Sequence, residues 1–203
     1  MQTSNPLLDK APVDYKEVLY WKVTQKTSRI VILNLLSIPL AIILGIIFID
    51  FVYMYGNPPE ITSGDSNNFG SFLIGILLVI VLHELAHGIA MQTFGAKPKY
   101  GIIWKGLMFY ASAPGYVFQR NQHLIISLAP LISLSILACL GIVIQAGTSN
   151  VWLWAVCATI NGGAAIGDLW IIAITLGYPP HAYVVDEKDG IRILLPNSEG
   201  GKK

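Results

Sequence analysis

Two histidines and a glutamate raise the first chemical question. Residues 79–88 read VIVLHELAHG, so His83, Glu84 and His87 form an HExxH pattern within an otherwise almost wholly apolar stretch, 69–94. Helical positions four apart project from one face, one turn above the other. Both imidazole nitrogens can therefore reach one zinc ion. Glu84, beside the metal, is then free to act as a base toward water. An ionisable residue at the centre of a membrane helix costs about 2.5–3.5 kcal/mol on insertion scales, so such residues mark functional sites. The competing reading is a polar cluster that hydrogen-bonds neighbouring helices.

The elements that must hold this motif follow from composition. The chain has 203 residues, of which 54% are hydrophobic and 12% charged; a soluble domain carries about 25% charged residues. Mean hydropathy is +0.59, which points to a bilayer. Net charge is +1, and no Lys/Arg run interleaves with aromatics, so nucleic acid is excluded as a partner. Cys139 and Cys157 lie inside apolar runs and read as small buried hydrophobes, with no disulfide framework. The first apolar run follows a polar leader and is too long for the core of a cleavable signal peptide.

Four apolar runs, 30–55, 71–94, 123–145 and 151–176, are each long enough to cross a hydrocarbon core of about 30 Å. The expected architecture is an all-α membrane protein with four transmembrane helices. A cytosolic segment, 1–29, precedes the membrane domain, 30–176, and a cytosolic tail, 177–203, follows it. Residues 15–22 suit a short interfacial helix or a loosely ordered tail. Gly56–Gly70 is a loop with turn signals at 57–59 and 63–65, and Gly95 and Pro98 end the second run. Residues 96–120, with Gly, aromatics and Ala113-Pro114-Gly115, suit a small membrane-associated hairpin. Residues 182–185 and 191–195, flanking 186–190, suit a short cytosolic hairpin.

Charge fixes the direction of the runs. Of 13 basic residues, five precede the first run, four fall between the second and third, and four follow the fourth. The positive-inside rule then places both termini and the 96–120 segment in the cytoplasm. The expected location is the plasma membrane. The second and fourth runs both travel inward. At about 1.5 Å per residue, His83, His87 and Asp168 all fall roughly 10–17 Å below the cytoplasmic end. Asp168 is the only other ionisable residue deep in any run, which makes it the candidate third ligand. Three protein ligands would leave a fourth position for water. Two histidines and a carboxylate also suit iron. Asp168 has a duller reading too, as a hydrogen-bonded helix contact. His123 and His181 read as surface histidines.

These motifs resemble those of the site-two protease group of intramembrane metalloproteases. They resemble more closely the family called "putative zincin peptidase". His83-Glu84-Leu85-Ala86-His87-Gly88 matches the group's HExxH. Asn161…Gly167-Asp168 is similar to its later Asn…Asp-Gly motif, with Gly162-Gly163 where the group has prolines and Leu169 where it has glycine. Ala113-Pro114-Gly115-Tyr116 and Arg120-Asn121-Gln122 resemble the closer family.

The resemblance implies a zinc-dependent intramembrane endopeptidase that hydrolyses peptide bonds through a metal-activated water. His83, His87 and Asp168 would hold Zn2+, Glu84 would be the catalytic base, and Asn161 would bind the substrate main chain or stabilise the oxyanion; a helix–helix hydrogen bond is an equal alternative for Asn161. Partners would be a peptide or transmembrane-segment substrate and membrane lipid. The alternative is a non-proteolytic metal-binding membrane protein or pseudoprotease.

Overall fold

Without water to bond to, a long apolar backbone satisfies its polar groups most simply as helix. In a computed structural model, which describes residues 14–60, 69–104 and 108–197, every long apolar run is helical. Helix α1 spans Thr27–Phe51 and ends in a wide π-type turn, Val52–Gly56. Helix α2 spans Phe69–Thr93, α3 Arg120–Ile144, α4 Asn150–Ala164 and α5 Ile166–Leu176. The stretches 27–56, 70–93 and 120–144 are each long and apolar enough to cross a membrane; α4 and α5 reach that length only together, with a 41° bend between them. Large apolar side chains such as Leu35, Ile42, Leu77, Val81 and Ile136 are exposed along these helices.

The chain forms two compact units. One comprises Ile32–Ala86 and Ala129–Gly167 and is helical. Its core joins Phe48 of α1, Val52 of the π-type turn, Ala138 and Ile142 of α3, and Val151, Ala155 and Ala158 of α4. The glycines at 162 and 163 permit close helix contact here: a Cβ on Gly162 would run into the Leu44 side chain, and one on Gly163 would lie 3.2 Å from Ala41 Cβ.

The other unit comprises the chain up to Val31, His87–Leu128 and Asp168 onward, and it holds every described strand. Strands β1 (Tyr15–Lys22), β4 (Val117–Gln119), β5 (Tyr183–Glu187) and β6 (Gly190–Pro196) make an antiparallel sheet in the order β1-β6-β5-β4. Strands β2 (Lys99–Ile103) and β3 (Met108–Ser112) form a separate hairpin. Ala182, Val184, Ile191 and Ile193 are buried against Val18 and Leu19 of β1 and Ile171 and Ile174 of α5. A second cluster unites Met91, Ala96, Ala113, Phe118 and Ile126.

The end of α2 follows from one residue. Gly95 adopts φ +85°, a left-handed conformation natural to glycine. The Gly95 N–H bonds Gln92 O at 2.9 Å and the Ala96 N–H bonds Met91 O at 3.1 Å, which is the Schellman arrangement that satisfies the last helical carbonyls. The Tyr116 hydroxyl donates to Phe94 O and closes the same end.

Three expectations are corrected. The fold is mostly helical but not all-α, since two antiparallel sheets accompany the helices. Residues 15–22 form neither an interfacial helix nor a loose tail; they are β1, paired along its length with β6. YKEVLYWK is rich in aromatic and β-branched residues that fit a half-buried sheet, but its partner lies at the far end of the chain. The fourth apolar run, expected as one transmembrane helix, is interrupted at Ala165 and forms two, with Asn161 on α4 and Asp168 on α5. Both expected hairpins are present, as β2–β3 and β5–β6. The expected turn at 63–65 and the basic residues Lys10, Lys105, Lys202 and Lys203 lie outside the described residues.

Candidate metal centre

Helix α2 presents His83 and His87 one turn apart, and both are buried. Glu84, next to His83, is half-buried. Asp168 comes from the first turn of α5, where the aligned N–H dipoles favour a carboxylate. The helix restart creates that position: the Ala165 N–H closes α4 on Asn161 O and Gly163 O, and α5 begins at the next residue. One ligand atom from each of His83, His87 and Asp168 lies within 4.8 Å of the other two.

The donor chemistry tests whether a metal fits. His87 Nδ1 lies 2.9 Å from Ile126 O. A carbonyl only accepts, so Nδ1 is the donor, and a neutral ring then carries its lone pair on Nε2. That Nε2 faces Asp168 Oδ1 at 3.2 Å. A lone pair and a carboxylate oxygen at this distance repel unless a proton or a metal cation joins them. His83 Nδ1 lies 2.9 Å from Asn161 Oδ1, an acceptor, so a neutral ring likewise carries its lone pair on Nε2. Two imidazoles with Nδ1 engaged by oxygen acceptors, plus one carboxylate, are a three-ligand set suited to zinc with a fourth position open.

Asn161 is fully buried. Its Oδ1 meets His83 and its Nδ2 donates to Pro130 O at 3.2 Å, so its amide engages protein groups at both ends. His181 is exposed, as expected of it. His123 departs from its expected surface position and is 2% exposed. Its Nε2 lies 3.5 Å from Asp186 Oδ1 and its Nδ1 3.5 Å from Ser127 Oγ. Asp186 also accepts the Ala113 N–H at 3.3 Å. This buried pair ties α3 to β5. Sequence reading placed Asp186 in a turn, and only strand register reveals that its side chain faces inward.

The β2–β3 hairpin reaches the same helix. A Cβ on Gly88 would collide with the Tyr100 hydroxyl, so the Tyr100 ring of β2 reaches α2 one turn after Glu84.

Neither a search of curated proteins nor a search of solved structures finds a match. The family described as "putative zincin peptidase" matches residues 76–183, just over half of the chain. The matched stretch takes in His83, Glu84, His87, Asn161 and Asp168 together with the hairpin and α3. The chain belongs to this putative zincin peptidase family.

Proposed function

We propose that the protein is a zinc-dependent intramembrane endopeptidase. The observation that carries this reading is the convergence of His83, His87 and Asp168 with Glu84 next to one of them in sequence. His83 and His87 would hold the metal through Nε2 and Asp168 through a carboxylate oxygen. Zinc, when bound, lowers the pKa of a water toward 7 and polarises a carbonyl. Glu84 would take the water's proton and pass it to the leaving amine.

The site is proposed to lie within the membrane. Support comes from helices of spanning length and from the exposed apolar side chains along them. The distribution of basic residues supports four crossings of the plasma membrane, with α4 and α5 as one broken span and both termini cytoplasmic. Membrane lipid would surround the helices. The substrate would be a peptide or transmembrane segment that enters extended, because the peptide bonds of an intact helix are shielded.

The test is Glu84→Gln in purified, reconstituted protein, with casein and synthetic transmembrane peptides as probes. Cleavage should fall by about 10²–10⁴-fold while zinc content stays at wild-type level. His87→Ala should lose both. Cleavage that survives Glu84→Gln contradicts the base assignment. Zinc binding without any cleavage by the wild type favours a non-proteolytic metal protein.

A further inference from the structure

One residue of α3 touches the bonding of both histidines. In a regular helix the carbonyl of residue 126 accepts the N–H of residue 130. Residue 130 is proline, inside α3, and it has no N–H. The Ile126 carbonyl therefore lacks its helical donor, and a buried carbonyl without a partner is costly. The structure supplies one: His87 Nδ1 lies 2.9 Å from Ile126 O. The carbonyl of Pro130 itself accepts the Asn161 Nδ2 at 3.2 Å. That bond fixes which end of the amide points which way, because only the NH₂ end can donate to a carbonyl. Oδ1 is thereby turned to His83 Nδ1, at 2.9 Å.

We infer that Pro130 and Asn161 are positioning residues that set the tautomers of both histidines. Pro130 frees the Ile126 acceptor for His87, and through its own carbonyl it orients Asn161 toward His83. Each ring then keeps its proton on Nδ1 and offers Nε2 to the cation site. The inference rests on the metal-centre reading above for its functional consequence. It gives Asn161 a role toward His83 rather than toward substrate. Partners of this kind raise ligand basicity and fix ring orientation, and their loss costs about 10–100-fold in metal affinity.

The experiment uses the full chain in detergent micelles and compares wild type, Pro130→Ala and Asn161→Leu. Zinc affinity is read by competition with a chelator, and the histidine tautomers by ¹⁵N NMR of the metal-free protein. Both variants should bind zinc about 10–100-fold more weakly. His87 should lose its preference for Nδ1–H in Pro130→Ala, and His83 should lose it in Asn161→Leu.

Pro130→Ala restores a helical hydrogen bond, so its thermal midpoint should hold or rise while affinity falls, which general damage to the fold would not produce. If Asn161→Leu fails to fold, Pro130→Ala decides. Zinc affinity within about threefold of wild type in Pro130→Ala, or a wild-type His83 or His87 with Nδ1 unprotonated, overturns the inference. A wild type that binds no zinc overturns the metal reading alone, and the tautomers of the metal-free protein still decide this one.

Discussion

Asp168 is the residue on which the site turns, since the two histidines arrive together on one helix and the carboxylate comes from another. His87 Nε2 and Asp168 Oδ1 lie 3.2 Å apart, a separation that a proton or a metal cation must bridge. Asp168→Asn keeps the shape and removes the anionic ligand. Zinc affinity, measured by chelator competition, should fall at least about tenfold. Binding at wild-type strength would remove Asp168 from the ligand set. His83, Glu84, His87 and Asp168 were legible in the sequence because an apolar run makes every ionisable residue conspicuous. The His123–Asp186 pair was not, because it depends on the inward face of a strand that the sequence allowed to be a turn. The partners of the ring Nδ1 atoms were hidden for a related reason: Asn161 and Pro130 were each visible, but only coordinates join them.

At the scale of elements, one side chain of the hairpin meets α2 at Gly88. Tyr100 occupies the space that a Cβ at residue 88 would need. Gly88→Ala should therefore push the Tyr100 ring off α2, at a cost of about 1 kcal/mol, the low end of the range for overpacking, because the ring can swing aside. A thermal melt in detergent should show the loss, and pairing it with Tyr100→Ala should recover part of it. An unchanged melt would mean that the Tyr100 ring swings off the helix at no cost. The long helices were readable from hydropathy, within a few residues at each end. Gly95 as the stop of α2 was readable from glycine's access to positive φ. The break at Ala165 was not, because alanine carries no signal for a helix end and the apolar run continues through it. That break is what places Asp168 in the first turn of α5.

At the scale of the whole molecule, the strand-bearing unit draws β1 from one end of the chain, β4 from its middle and β5 and β6 from the other end. Periodicity sees each strand locally and cannot assign its neighbour, which is why residues 15–22 looked equally fit for an interfacial helix or a loose tail. The helical unit is simpler to anticipate, because small residues such as Ala155, Ala158, Gly162 and Gly163 allow close approach between helices. At the centre of the proposed function, His83, His87 and Asp168 would hold a single zinc ion. Zinc-edge X-ray absorption on the purified full chain tests it most directly. The expected spectrum has one zinc with two imidazole nitrogens and oxygen ligands at about 2.0–2.2 Å, and no sulfur. A sulfur shell, a single imidazole, or the same spectrum from a His83→Ala, His87→Ala double variant would contradict it.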